Sequence, residues 1–352
     1  MNVTEKVKKL LDRSQNSSGE EYAETDIHNN ISKNFNRYIV KLGNSLGLDL
    51  NGDAYHTLDL TAENKLLENL SKNSLFGLIN VIKTTNQEGD TLGIHIPIAS
   101  TVDTNVEERT PTKGYISPIQ QFNCEQINID TFVSYEKLDR LANYLDKDFE
   151  QLFDSQLTKQ MLLSLLMIGF NGKSRSNHSN PDSNPLAQDV KKGWVQKIKE
   201  NAPEKIITAG NVGAGEKYKN LKTLINAAKE KISYPSRLAD DLIILCGRNI
   251  LDDRKIIVEY SDLSQDNTGL ITISQELISG LKAISVPFFP ENCVLITSLK
   301  NISLYLQSGT VRRFMKDEAR HDRIANYISM SLDFIIEDYN ALALIENINI
   351  ID

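Results

Sequence analysis

Residues 136–172 read EKLDRLANYLDKDFEQLFDSQLTKQMLLSLLMIGFNG, and the spacing of their apolar side chains decides the fold. Leu138, Leu141, Leu145, Phe149, Leu152, Leu157 and Met161 recur every three to five residues. That interval stacks side chains on one face of an α-helix. At a rise of 1.5 Å per residue, a helix from about 136 to 169 is about 50 Å long. A typical globular helix has only about 11–12 residues. Asn171-Gly172 ends the run, and a polar loop with Pro181 and Pro185 follows. The Leu/Met-rich end, 161–168, reads as core. The whole segment reads as a spine laid across a flat molecule.

On the N-terminal side of this helix the period changes from helical to alternating. Leu92, Ile94, Ile96 and Ile98 alternate with smaller or polar residues, which is a strand pattern. A polar, turn-rich stretch from 100 to 118, with Pro111, Gly114 and Pro118, is long enough to project. Ile127, Ile129, Val133 and Tyr135 then mark a second strand. Residues 83–125 therefore read as an extended hairpin arm. It carries little apolar material of its own and must lie on something else to be ordered. Residues 1–82 form an N-terminal arm. Its first 30 residues are polar and read as flexible apart from a short basic helix at 3–13. Helical pieces follow within 35–82, the second with Thr61 as N-cap.

On the C-terminal side, residues 126–185 complete the region of the long helix. Residues 186–288 alternate helix and strand and read as an α/β domain of their own. Leu186, Val190, Trp194 and Ile198, spaced by four, predict a helix over 186–200, and another is expected over 216–232. The apolar run 242–246 predicts a buried strand. Short helices are expected at 248–260 and 274–279. Residues 289–352 are strand-dominated, with strands at 293–297 and 342–350 and alternation over 302–306 and 328–336. Between two of these strands a charged loop is expected at 312–323. It holds Arg312, Arg313, Lys316, Asp317, Glu318, Arg320, Asp322 and Arg323. The class is α+β.

The chain has 352 residues, a net charge of −8, 40% apolar and 24% charged residues. This is ordinary globular composition. An acidic balance argues against tight, sequence-independent grip on nucleic acid, which needs clustered Lys and Arg. It permits a protein that faces DNA without holding it. The longest apolar run, 161–170, is too short to span a bilayer, and the polar N-terminus does not read as a signal peptide. A soluble chain made in the cytoplasm, with no membrane contact, is the expectation. Cys124, Cys246 and Cys293 are odd in number and widely spaced, with no CxxC, so no zinc site or disulfide framework is suggested.

No motif in the chain carries chemistry. The stretch 210–217, GNVGAGEK, resembles a phosphate-binding loop but fails it. Glu216 separates the last glycine from Lys217, and Tyr218 stands where Ser or Thr would hold magnesium. The five histidines are scattered without metal-ligand spacing. The reading is no catalytic, cofactor-binding or metal-binding residue and no cofactor. Trp194, on an apolar helical face, reads as core or subunit contact.

Local motifs add a resemblance. Phe35-Asn36-x-Tyr38, Ile98-Ala99-Ser100-Thr101, Cys124-Glu125-Gln126-Ile127-Asn128 and Met167-Ile168-Gly169-Phe170-Asn171-Gly172 resemble segments of P2-like phage major capsid proteins. So do Ser183-Asn184-Pro185-Leu186-x-Gln188-Asp189-Val190, Gly193-Trp194, Asn201-Ala202-Pro203 and Phe289-Pro290. Leu295-Ile296-Thr297, Arg312-Arg313, Asp322-Arg323, Asn326-Tyr327 and Glu337-Asp338-Tyr339 follow in the same order. The likeness runs from about residue 31 to 350, and residues 1–30 are extra to it.

The resemblance implies the HK97-type capsid fold. In its terms the chain has an N-terminal arm, an E-loop hairpin, a spine helix with the first part of the P-domain, an A-domain at 186–288, and a P-domain return. It further implies self-assembly into pentamers and hexamers of an icosahedral head enclosing double-stranded DNA. Expected partners are a scaffold, a prohead protease and a portal. By resemblance the protease cut falls near 52–61. Ile94 and Ile96 on the hairpin, Trp194, and the charged residues Arg312, Arg313, Asp317, Glu318, Arg320, Asp322 and Arg323 are the expected inter-subunit contacts. A nanocompartment shell protein of the same fold, or a cytoplasmic α/β enzyme, stand as alternatives.

Overall fold

A computed structural model describes residues 56–57, 63–64, 68, 75–91, 101–109, 120–137, 149–238, 241–247, 249–250, 258–259, 272–274 and 277–351. In chain order the strands are β1 (His56–Thr57), β2 (Asn80–Thr84), β3 (Glu88–Asp90), β4 (Gln121–Asn123), β5 (Glu125–Asn128) and β6 (Thr131–Ser134). Helices α1 (Phe149–Asn171) and α2 (Trp194–Asn201) come next, followed by β7 (Ile206–Val212), α3 (Leu221–Lys229), the short α4 (Tyr234–Leu238) and β8 (Leu242–Cys246). The remaining strands are β9 (Val258–Glu259), β10 (Thr272–Ser274), β11 (Ala283–Ser285), β12 (Val294–Ser298), β13 (Ile302–Gln307), β14 (Arg312–Glu318), β15 (Arg323–Ile336) and β16 (Leu342–Ile350). Among the described residues the chain divides into two units. One holds 56–57, 130–137, 149–157 and 312–328, and the other holds the rest.

The larger unit contains a mixed sheet ordered β7-β16-β12-β8-β11-β10-β9. Its central strands, Val294–Ser298 and Leu242–Cys246, pair antiparallel with Ile296 opposite Ile244. Both are apolar on both faces, as strands covered on both sides must be. Helix α3 packs Leu221, Leu224, Ile225 and Ala228 into a core with Ile244, Ile296, Ala343 and Ile345. It starts at Asn220, whose side chain accepts from the Thr223 N–H while the Asn220 N–H donates back to Thr223 Oγ1. This reciprocal cap satisfies groups that a helix start leaves open. The sheet is completed by β12 and β16, so residue 288, the expected end of a separate domain, is not an edge of it.

A second group of strands in this unit surrounds the latter half of β15. There β13 pairs antiparallel with β15, β2 pairs parallel with β13, and β5 pairs with Ser329–Leu332 of β15. Strands β3 and β4 form the base of the expected hairpin, with Gly89 opposite Phe122. In the smaller unit the first half of β15 pairs with β6, and β14 pairs with β1.

Helix α1 ends where glycine is sterically required. A Cβ on Gly169 would run into the Trp194 ring, and one on Gly172 into the Lys191 carbonyl oxygen. A Cβ on Gly193 would strike the Gly169 carbonyl oxygen. The segment entering α2 is thus pressed directly onto the end of α1. Trp194, fully buried, meets Phe170 at 5.1 Å and Phe334 edge-on at 4.9 Å, and its Nε1–H donates to the Ser303 carbonyl at 3.0 Å. A buried indole is held this way when its one polar atom finds an acceptor.

Several expectations change. The helix predicted over 186–200 forms only from Trp194, because Gly193 must stay extended to reach the end of α1. The helix over 216–232 is shortened to Leu221–Lys229 by the Asn220 cap. In place of a helix at 274–279, Ser274 lies in β10 and Ile278 bridges to Leu281. The loop expected at 312–323 is mostly strand: β14 covers Arg312–Glu318, and only a short 3-10 turn, Ala319–His321, and Asp322 separate it from β15. The helices expected within 1–55, the strand around Ile94 and Ile96, residues 138–148 of the long helix and most of 248–260 lie outside the described residues.

Candidate functional site

At the junction of β4 and β5, the base of the expected hairpin, the backbone is gripped by buried charge. The Asn123 N–H donates to Asp333 Oδ2 at 3.0 Å, and its carbonyl accepts from Lys191 Nζ at 2.9 Å. Lys191 also reaches Glu125 Oε2 at 2.7 Å and Asp333 Oδ1 at 3.4 Å. Lys197 Nζ donates to Asp333 Oδ1 at 2.8 Å, and the Phe334 N–H adds a bond at 2.9 Å. The Asp333 and Lys191 side chains are only 3% and 5% exposed. Two ammonium groups face two carboxylates, and the partly exposed Arg175 guanidinium lies 3.9 Å from Glu125. Buried charges persist only when paired and hydrogen-bonded in this way. Burial pulls the Lys197 ammonium below its ordinary range, and Asp333 draws it part of the way back.

Apolar contacts reinforce the same root. Phe122 stacks on Tyr305 at 4.8 Å and packs with Cys124, Ile335 and Ile82. Its ring also lies over Gly89, where a Cβ would meet Phe122 Cζ at 3.0 Å. Tyr305 donates its hydroxyl to Glu337 Oε1 at 3.1 Å. Burial, with help from the Asp333 charge, pushes the Cys124 thiol up to about 11. Burial alone pushes Cys246 up to about 12. Neither thiol is a ready nucleophile at neutral pH. In the stretch expected to project, the situation reverses. Residues 101–109 are exposed throughout, with Val106 78% exposed and Val102 43%.

The second candidate surface is built on β14, β15 and β6. Alternation puts Arg312, Phe314, Lys316 and Glu318 on one face of β14. Phe314 stacks on Tyr327 at 5.9 Å, and Glu318 accepts from Tyr327 Oη at 2.8 Å and from Arg323 Nε at 2.7 Å. The Arg323 guanidinium lies over the Phe132 ring at 4.8 Å, and Phe132 is 57% exposed. Arg323, then Tyr327, hold the Glu318 carboxyl below the usual carboxylate range. Arg312, Lys316, Arg320, His321 and Asp322 are exposed. Arg312, Lys316 and Arg320 form no ion pair with any described residue.

The expected contact residues therefore separate. Arg312, Glu318, Arg320, Asp322 and Arg323 gather on this face and its turn, and Asp317 belongs to the same strand. Arg313 points to the opposite side, where it is buried and its Nε donates to Asn326 Oδ1 at 3.0 Å. It supports the fold rather than offering itself to a neighbour. Trp194 is likewise a core residue of its own chain, because nothing of it is exposed. Ile94 and Ile96 lie outside the described residues. Among the described residues no cluster of His, Cys, Asp or Glu has the geometry to hold a metal ion, and no helix is long and apolar enough to cross a membrane. Sequence reasoning missed the root cluster. The one signal was Asp333, charged within the apolar run Leu332 to Ile336, and alternation assigned it to solvent.

Comparison with known proteins places this geometry. Residues 34–348 match the family described as phage major capsid protein, P2 family. The chain is 32% identical over 339 residues to a protein named "Capsid proteins" from Escherichia phage P2, covering 90% of this chain and 94% of that one. It is 31% identical over 313 residues to the major capsid protein of Serratia phage KSP20, covering 84% and 89%. Among solved structures it is similar to a chain of the satellite phage P4 procapsid that includes the size determination (Sid) protein. The TM-score is 0.69 at 32% identity, covering 83% of this chain and 91% of that one.

Proposed function

Because the chain belongs to the P2 family of phage major capsid proteins, with the HK97-type α+β fold, we propose that its copies close into pentamers and hexamers around packaged double-stranded DNA. The chain is a major capsid protein of a tailed phage, a structural subunit of an icosahedral shell built from copies of itself. One observation supports the finer reading most. The hairpin is clamped at its root by a buried charge cluster, yet its turn at 101–109 exposes Val102 and Val106. Among the described residues nothing covers these valines, and a neighbouring subunit would supply the cover.

In this reading assembly takes place in the host bacterial cytoplasm with a scaffold and a prohead protease, and a portal occupies one vertex. The subunit itself performs no catalysis. The DNA is enclosed rather than gripped, in keeping with a net charge of −8. A protease cut near residues 52–61 would have to release β1, whose His56 and Thr57 pair with Arg313 and Arg312. Symmetric closure sets the particle, and many modest contacts per subunit act together. The named relatives are phage proteins, which favours a phage head over a nanocompartment.

Co-expression with the neighbouring head genes, followed by sedimentation and electron microscopy, tests the proposal. Closed shells are expected; a subunit that stays monomeric beside its scaffold would refute it.

A further inference from the structure

We propose that the outward face of α3, with the residues just before and after it, is the surface of this subunit that meets the phosphate backbone of the enclosed duplex. The inference rests on the capsid reading and names the residues that face the DNA.

Charge supplies the first argument. Residues 191–231 hold ten lysines and four glutamates, with no arginine or aspartate, in a chain whose net charge is −8. Four of these lysines are already engaged: Lys191 and Lys197 by Asp333, Lys192 by Glu200 and Lys199 by Glu346. Glu230 is likewise taken by Arg237. That leaves Lys205, Lys217, Lys219, Lys222, Lys229 and Lys231 against Glu204 and Glu216, and none of the six pairs with a described carboxylate. Lys217, Lys219 and Lys222 are exposed at the start of α3. Beyond its end Lys231 and Lys205 are half-buried, as is Lys229 in its last turn. The ammonium groups of Lys229, Lys231 and Lys205 rest on the carbonyls of Ser279, Glu204 and Lys231.

The character of the surface supplies the second. Helix α3 turns Leu221, Leu224, Ile225 and Ala228 into the core, so Lys222, Asn226 and Lys229 fall on the outward side. Lys222 and Lys229 stand two turns, about 10 Å, apart along the helix. Among the described residues no large apolar side chain from 187 to 233 is exposed. A protein partner is held through an apolar centre with a polar rim, and this surface offers charge alone. Phosphates need only cations, and duplex DNA presents one about every 1.7 Å of its axis. The turn before α3 adds no obstruction: at Gly210 and Gly215 nothing lies within 4 Å of where a Cβ would stand. A few lysines per copy, readily screened by salt, touch DNA without gripping it.

The test uses the full chain produced with its head genes. Lysine acetylation by a small reagent, read by mass spectrometry, is compared in DNA-filled heads, in the same heads emptied of DNA, and in DNA-free procapsids that still hold scaffold. Labelling of Lys217, Lys219 and Lys222 is expected to be roughly threefold lower, or less, in filled heads than in emptied ones, with no such protection in the procapsids. The unassembled chain is also titrated with fluorescent duplex DNA of unrelated sequence. Its affinity should fall about a hundredfold between about 50 and about 200 mM salt, as for about four neutralised phosphates. Changing Lys217, Lys219, Lys222 and Lys229 together to Gln should remove most of that dependence. Equal labelling in filled and emptied heads, or a quadruple variant that binds duplex as the unaltered chain does, would overturn the proposal. Protection in scaffold-filled procapsids would assign the surface to an acidic protein and overturn it as well. Failure of the unaltered chain to make shells would instead contradict the capsid reading on which it rests.

Discussion

The hairpin root and the β14–β15–β6 face both use lysine, arginine and carboxylates, yet they use them oppositely. At the root, Lys191, Lys197, Glu125 and Asp333 are drawn together, largely buried and mutually neutralised. On the face, Arg312, Lys316 and Arg320 stay exposed, and only Glu318 and Arg323 pair. Buried charge is costly unless every partner is present, so it fixes geometry and cannot be changed piecemeal. Exposed charge costs little in the free subunit and remains available to a partner. The root thus fixes the backbone at Asn123, and the face keeps its charge exposed.

Replacing Asp333 with Ala should break this contrast most severely. Lys191 and Lys197 would lose their shared carboxylate inside the protein. A loss of about 3–5 kcal/mol is expected from removing one partner of a buried ion cluster, measured by urea unfolding of the unassembled subunit. Combining Lys191→Met, Lys197→Met and Asp333→Leu should recover most of that loss, since the one charge left behind, Glu125, is a third exposed and keeps Arg175 at 3.9 Å. Equal loss in both variants would show that packing, not charge, holds the root.

Next in size is Gly172→Ala. Its Cβ would meet the Lys191 carbonyl oxygen, which is backbone and cannot swing away. Overpacking of this kind costs about 1–3 kcal/mol, and the same unfolding measurement reads it. The variant also moves the segment carrying Lys191, so backbone amides at 120–125 should exchange faster with solvent.

A smaller effect is expected from pH. The Cys246 thiol is held up at about 12 in the folded chain against an ordinary 9.0. A raised folded value contributes stability that is complete below pH 9 and is lost as pH climbs toward 12, because the unfolded thiol ionises first. The melting temperature should fall between pH 8 and 10.5, and Cys246→Ala should fall less over that window. An identical drop in the variant would assign the effect elsewhere. Tyr339, held up at about 12 by burial, adds in the same direction above pH 10.

The smallest stability effect belongs to the face. Arg320→Glu should change subunit stability by no more than about 0.5 kcal/mol, as for an ordinary surface position, while lowering shell yield. A clear loss of stability would mean that Arg320 already has a role within its own chain.

Much of this architecture was legible in the residue pattern. Continuous apolar runs gave Leu242–Cys246 and Val294–Ser298, and alternation gave much of the long strand ending at Ile336. Periodicity gave α1 through Phe149–Asn171. What stayed hidden depends on contacts between distant residues. Arg313 reads as one more charge in a polar run, and only the pairing of β15 reveals that it faces Asn326. The root cluster joins Asn123, Lys191, Lys197 and Asp333, which no local spacing relates. Trp194 sat on a correct helical face, but Gly193 had to be seen against Gly169 before the helix could be started in the right place.

Cryo-electron microscopy of particles assembled from the unaltered chain with its head genes bears most directly on the claim that this subunit is completed by its neighbours. The account predicts icosahedral shells in which each hairpin leaves its clamped root and lays residues 101–109 on another copy. Shells in which that turn touches no other subunit, or preparations containing only monomers, would contradict it.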